Sequence, residues 1–211
     1  MNNIVLIGGG KHAGDIYDMF AREHDFIGLI DDVYDNPFIT QVYGLKYLGK
    51  FNDIDNIKKK GMQVFLGIGS EGDMHLRQHY IKMINEKKLK SPILIFQNSF
   101  ISSHSSIGDG TMIGYSSRIG PQVKIGKHCV VQHNVNIGHG CVIGDNVFIA
   151  SGVKLAGNVT VGSNTFVGTG AVAIQKVKIG NFCTIGACSC IIENISDYTT
   201  VVGNPGRELN Q

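Results

Sequence analysis

Residues 131–154 read VQHNVN IGHGCV IGDNVF IASGVK, four blocks of six that each open on Val or Ile and carry Val or Cys in fifth place. The frame extends both ways without interruption. From Ile101 to Ile191 the first place of sixteen consecutive hexads is apolar, with Ala173 the smallest occupant. From Ser105 to Ile195 the fifth place is always small or β-branched. A helix repeats every 3.6 residues and a strand every two, so neither produces a strict period of six. A six-residue period that turns one large aliphatic and one small residue inward is the pattern of a β-helix, whose stacked coils share a narrow triangular core. Gly fills the second place in ten of the sixteen hexads and is expected to turn the corners, where a permissive backbone is needed. Those ten account for much of an unusual total, 28 Gly against 4 Pro.

Outward from this region the chain changes character. Residues 1–100 hold 24 of the 36 charged residues, whereas 101–196 hold 9 of them and all five Cys. The contrast places a boundary near Ser99–Ile101: a first domain over 1–99, a β-helix over 100–196 and a tail over 197–211. At 211 residues the chain is long enough for one or two domains with real cores. A formal charge of +2, with acids and bases interspersed, argues against a nucleic-acid arm or a polybasic membrane patch. No window approaches the roughly 18 apolar residues of a membrane span. The opening Met1–Gly10 lacks the basic head and long apolar stretch of a signal peptide, so a cytoplasmic protein is expected.

The first hundred residues read as alternating strands and helices. Ile4–Ile7, Phe26–Ile30, Gln63–Ile68 and Ile93–Phe96 have strand length and apolar content. Ala13–Glu23 has helical spacing, and Met74–Lys88 places Leu76, Tyr80, Ile81 and Ile84 on one side. A loop passes through Pro37, and Asn52–Lys60 reads as a short polar helix. Strands separated by helices imply a parallel sheet, here a small Rossmann-like βαβ domain.

Gly8-x-Gly10-x-x-Ala13 follows the first strand and opens a helix, with Asp31 after the next strand. This fits a dinucleotide fingerprint. It also fits a nucleotide-sugar diphosphate, because backbone N–H groups at a helix N-terminus favour any phosphate; a purely structural turn is the third reading. Lys11 and His12 are positioned to meet phosphates or sugar, and Asp31 and Asp32 to accept bonds from base or ribose, unless they simply solvate a strand end. The cysteines offer little chemistry. Cys129, Cys141 and Cys183 take the fifth, inward place, where a thiol is a small hydrophobe, and Cys188 and Cys190 lack zinc-site spacing. No metal is expected. His104 and His128 fall in fourth, surface places near a corner; His133 and His139 fall in third places.

The uninterrupted [LIV]-G-x4 hexads over 101–196 resemble those of the left-handed β-helix acyltransferases, and Val201–Arg207, VVGNPGR, is similar to the ending common in that superfamily. Joined to a domain that carries IGGGKHAG (Ile7–Gly14), LIDD (Leu29–Asp32) and GIGS (Gly67–Ser70), the β-helix resembles one family in particular. That family holds the sialic acid O-acetyltransferases and the N-acetyltransferases of nucleotide-linked 4-amino-4,6-dideoxy sugars. The resemblance implies a homotrimer, a nucleotide-sugar held by the small domain through Gly10, Lys11, His12, Asp31, Asp32 and Gly69, and acetyl-CoA in the cleft between neighbouring β-helices. Ile137–Asp145, IGHGCVIGD, matches the family's catalytic motif, so His139 inherits the role of general base, against a bland reading as a surface His. Gly157 matches a contact to acetyl-CoA, Thr169 and Ala187 would line an edge of its cleft, and Phe148, where some relatives carry a second His near the thioester, would give acetyl-CoA an apolar contact.

Gly140 departs from the motif, because many relatives place an acid directly after the His. A carboxylate there would stabilise the imidazolium. Its absence is easier to reconcile with an amine acceptor, which attacks once neutral, than with a hydroxyl that must first lose a proton. Asn134 or Asn136, or a group from the next subunit, are possible substitutes for the acid. The expected activity is acetyl-CoA-dependent N-acetylation of a nucleotide-linked amino sugar for surface glycans. The alternatives are O-acetylation of a sialic-acid-type sugar and a non-catalytic nucleotide-sugar-binding scaffold.

Overall fold

The computed structural model describes residues 3–33, 38–55, 61–70, 72 and 74–209. The chain forms two compact units, Met1–Gly69 with His79–Pro92, and Ser70–Gln78 with Ile93–Gln211.

The first unit is built on three parallel strands, β1 (Asn3–Ile7), β2 (Asp25–Ile30) and β3 (Gln63–Leu66), in the order β2-β1-β3. β1 takes the centre because Ile4, Val5, Leu6 and Ile7 are apolar on both faces and all buried, as a strand covered on both sides must be. Helix α1 (Lys11–Phe20) joins β1 to β2 and buries Ala13, Ile16 and Phe20. Where the sequence predicts a loop, a six-residue helix α2 (Phe38–Tyr43) forms. Its Phe38 and Tyr43 rings approach Gly14 of α1 so closely that a Cβ there would stand about 3.0 Å from Tyr43, a tertiary contact with no local periodicity to announce it. The helix expected over 52–60 begins as a 3₁₀ turn, Phe51–Asp53; its residues 56–60, and the loop through Pro37, lie outside the described residues. Ile7 pairs with both Ile30 and Leu66, so Gly8–His12, Asp31–Asp32 and Gly67–Gly69 all leave the sheet at one carboxyl edge. Parallel α/β sheets take their ligands at such edges.

The second unit is a three-faced parallel β-helix. Two-residue strands fall on the faces in rotation: Leu94–Ile95 on face 1, Phe100–Ile101 on face 2, Ser106–Ile107 on face 3, then Met112–Ile113 on face 1 again. Each strand pairs with those one coil away, as Val130–Val131 does with Met112–Ile113 on one side and Phe148–Ile149 on the other. Coils run past both ends of the hexad frame, because Leu94–Ile95 starts face 1 and Thr200–Val202 and Arg207–Glu208 extend it.

First-place residues from Ile113 to Ile191 and fifth-place residues from Thr111 to Ser189 are at most 4% exposed. The polar ones close on the next coil. Thr111 Oγ1 donates to the Gly126 carbonyl at 2.8 Å and accepts from the Cys129 N–H at 3.0 Å. Ser117 and Thr165 repeat the arrangement. The Cys129, Cys141 and Cys183 thiols donate to the carbonyls of Gly144, Ala156 and Ser196. Burial raises all three thiols, Cys129 to about 12, so they stay protonated.

The corners correct one expectation. The left-handed turn sits at the fourth place of the hexad, as in Asn134 (φ 55), Asn146 (φ 52) and Asn158 (φ 61), and the second-place glycines have ordinary φ. Those glycines are demanded by proximity: a Cβ on Gly108 would lie 2.6 Å from the Gly126 carbonyl carbon, and one on Gly162 2.5 Å from that of Gly180. Asn tolerates the left-handed region better than most residues, which explains its recurrence at the fourth place.

Two side chains depart from the sequence pattern. In helix α3 (His75–Glu86), Leu76 is 56% exposed whereas Arg77 is 1% exposed. Arg77 belongs to the β-helix unit, where its Nε donates to Asn146 Oδ1 at 3.0 Å and its Nη2 to the His128 carbonyl at 2.7 Å. His128, expected at the surface, is 4% exposed. Burial, reinforced by the Arg77 charge, pushes His128 down to about 4, and burial lowers Arg77 to about 10, still charged at neutral pH.

Because folded His128 resists protonation that an unfolded His accepts near pH 6.5, stability is full above that pH and falls as the pH drops to about 4. Urea unfolding at pH 7 and pH 4 is expected to show roughly 3 kcal/mol less acid loss in His128→Asn than in the wild type. Asn suits the corner backbone, and equal losses in the two proteins refute the assignment.

Candidate active site

The hexad frame decides what the β-helix presents. Ile137, Cys141 and Ile143 point into the core, so the chain must turn between them, and His139 and Gly140 are left at the corner between faces 2 and 3. His139 is exposed. Its ring lies over Gly157, one coil along in the same column: a Cβ on Gly157 would stand 2.5 Å from His139 Cε1, 2.6 Å from Nε2 and 3.1 Å from Nδ1. The absence of a side chain at 157 is thus a condition for the observed ring position. The Gly157 N–H has no hydrogen-bond partner among the described residues. At the corner between faces 3 and 1, by contrast, the equivalent N–H groups of Lys127, Asp145, Ser163 and Asn181 are each taken by a side chain of the next coil. The His139 corner therefore combines an imidazole with an open backbone donor. An imidazole accepts a proton and an N–H stabilises a developing oxyanion, which together serve acyl transfer.

The structure separates the other residues expected around acetyl-CoA. Thr169 and Ala187 are both exposed and stack in one column, but that column is the corner between faces 1 and 2. Gly157 and Thr169 are two hexads apart, and two hexads lead to a different corner. Phe148 points outward from face 1, is 6% exposed and stacks on Phe166 with centroids 5.5 Å apart. Sequence reasoning missed a ring stack on the face 1–2 corner, Tyr115 over His133 at 4.0 Å and 11°. Reading the third places at a spacing of 18 residues would have found it, because Tyr115, His133, Thr169 and Ala187 all fall in that column.

In the first unit the predicted residues converge at the carboxyl edge. Gly10 caps α1 with extended backbone and no side-chain bond. Lys11 is exposed, and His12 packs against Gly69, where a Cβ would lie 3.1 Å from the His12 Cβ. The two aspartates are tied to the fold more than expected. Asp31 accepts from the Gly9 N–H through Oδ2 and from the Val33 N–H through Oδ1, both at 2.8 Å, so it shapes the glycine turn. Asp32 accepts from the Phe51 N–H at 2.8 Å and the Tyr80 hydroxyl at 2.6 Å. Burial, with Asp32 adding to it, raises the Tyr80 phenol and keeps it a donor. Among the described residues no cluster of His, Cys, Asp and Glu could hold a metal ion, and no helix is long and apolar enough to cross a membrane.

Comparison with known proteins agrees with this fold. The family described as bacterial transferase hexapeptide (six repeats) matches residues 104–139, 122–157 and 140–173, and the PglD N-terminal domain family matches residues 3–84. A serine acetyltransferase of Bacillus pumilus (strain SAFR-032) is 35% identical over 52 residues, which span 25% of this chain and 24% of that protein. The acetyltransferase domain of PglB from Neisseria gonorrhoeae FA1090 superposes with a TM-score of 0.89 at 24% identity, over 99% of this chain and 100% of that one; it is also known in complex with acetyl coenzyme A. A mutant of perosamine N-acetyltransferase from Caulobacter crescentus, in complex with CoA and GDP-perosamine, gives 0.91 at 23% over 100% and 98%. WeeI from Acinetobacter baumannii AYE gives 0.85 at 22% over 99% and 100%. At these identities the likeness to the solved structures is one of fold.

Gly157→Ala is expected to displace the His139 ring while sparing the fold, since the corner is outside the core. Imidazole resonances of His139 should move in the NMR spectrum, and any acyl-transfer rate should fall about 100-fold, as for a displacement of about 1 Å. An unmoved ring refutes the packing described.

Proposed function

We propose that this chain, which belongs to the hexapeptide-repeat left-handed β-helix acetyltransferases and carries a PglD-type N-terminal domain, transfers the acetyl group of acetyl-CoA to the amino group of a nucleotide-linked 4-amino-4,6-dideoxy sugar. The observation that carries the choice of an amine is Gly140. No acid follows His139, so the imidazole acts without a carboxylate partner in sequence, and an amine makes the smaller demand on a base.

The chemistry is direct. The neutral amine nitrogen attacks the thioester carbonyl, His139 takes the amine proton, and the Gly157 N–H supports the oxyanion. The C–S bond then breaks and CoA leaves as the thiol, protonated from the imidazolium. An acyl-enzyme on the inward cysteines is disfavoured, because burial holds the Cys129, Cys141 and Cys183 thiols protonated. The edge formed by Gly10, Lys11, His12, Asp31 and Gly69 suits the nucleotide diphosphate, with Asp31 and Asp32 acting chiefly by holding the turn and the strand end. The acetyl-CoA assignments to Gly157, Thr169, Ala187 and Phe148 join residues from two corners and one face of a single prism. A homotrimer in which the face 2–3 corner of one copy meets the face 1–2 corner of the next would unite Gly157 with Thr169 and Ala187.

Turnover of acetyl-CoA with UDP-, dTDP- and GDP-linked amino sugars is expected for one nucleotide class, and His139→Ala should lower it by about 10²–10⁴-fold with the fold intact. Acetylation of free sialic acid, with no amine accepted, would replace this reading by O-acetylation. Sedimentation equilibrium is expected to give a mass of three chains, and a monomer that turns over substrate would rule out the shared cleft.

A further inference from the structure

Gly140 leaves space that another residue occupies. It is left-handed (φ 67), and a Cβ built on it would collide with Asn158 Oδ1 and come within 3.3 Å of Asn158 Cγ. Asn158 is the fourth-place residue one coil along, next to the Gly157 that supports the His139 ring. Fourth-place side chains stacked in this way can bond to each other: at the face 3–1 corner Asn146 Nδ2 donates to Asn164 Oδ1 at 2.9 Å. At the His139 corner the lower partner is a glycine, so no such bond consumes the Asn158 oxygen. Among the described residues its carboxamide makes no hydrogen bond, and it is exposed. An uncommitted neutral dipole therefore overhangs the position where an acid after the His would begin.

We infer that Asn158 is the positioning residue for His139, a neutral carboxamide that stands in for the missing acid and leaves the base beside a dipole instead of a charge. This rests on the reading of His139 as the base for an amine. A carboxylate at the same place would hold the imidazolium more firmly. The other residues of the two corner columns are Ser103, Pro121, Gln175 and Glu193 at third places, and His104, Gln122, Lys176 and Asn194 at fourth places. Lys176 is one coil from Asn158, His104 two coils from Gly140 and Glu193 two coils from Gly157, so among the residues of these two columns Lys176 is the ionised neighbour closest in coil count to position 158.

Gly and Asp both accept the left-handed backbone of residue 158 (φ 61), so two substitutions separate dipole from charge without straining the turn. Asn158→Asp is expected to move the NMR titration midpoint of the His139 imidazole upward by about one pH unit in the resting protein, and the acidic limb of kcat/KM with it. Asn158→Gly is expected to lower kcat about tenfold with both KM values within twofold, and the double variant Gly140→Asn with Asn158→Gly, which returns the amide from below, to restore most of it. A His139 titration that is the same in wild type and Asn158→Asp overturns the assignment whatever the substrate proves to be, as does a double variant no better than Asn158→Gly. Wild-type protein that accepts no amine, with the His139 midpoint still moved by Asn158→Asp, overturns the substrate reading alone.

Discussion

The distance between one coil of the β-helix and the next governs most of what this chain does. Parallel strands one coil apart exchange backbone hydrogen bonds of 2.7–3.0 Å along all three faces, and the second-place glycines sit so near the adjacent backbone that a Cβ would fall 2.5–3.3 Å away. Such stacking leaves room inside for one large aliphatic and one small residue per side. Ser, Thr, Cys and Val can exchange at the small place because each is compact, and the polar ones find a carbonyl on the next coil at bonding distance. The hexad is thus the trace that this spacing leaves in the sequence.

The same spacing makes each corner a ladder of equivalent positions, and the three ladders have different chemistry. At the face 3–1 corner, side chains take the backbone donors and a buried Arg77 holds Asn146 and the His128 carbonyl. At the face 1–2 corner, Tyr115 and His133 stack below a run of small residues. At the face 2–3 corner, His139 lies on a glycine, with an open N–H beside it and an unbonded carboxamide above the next residue. Rigid coils supply the geometry, and substitutions at third and fourth places, which barely touch the core, supply the function.

Several residues show where linear reading stops. Leu76 and Arg77 are neighbours on α3, and hydropathy assigns the burial to Leu76, yet the buried member is Arg77 because its partners lie some 50 to 70 residues away. His128 occupies the same hexad place as Asn134 and Asn158, yet it is buried, with Arg77 bonded to its carbonyl. Asp31 and Asp32 were legible as strand-end acids, but their bonds to Gly9, Val33, Phe51 and Tyr80 depend on loops that no periodicity describes.

By itself the sequence determined the β-helix, its register and the outward placement of His139, because a period of six over sixteen hexads admits one way of turning inward. It also determined the βαβ character of the first unit, since alternating apolar runs force a parallel sheet. Only the tertiary structure decided why glycine recurs, that the His139 ring lies on Gly157, and that Asn158 overhangs Gly140. Those are relations between residues 18 apart along the chain and one strand spacing apart in space, and only the stacking of coils converts the first distance into the second.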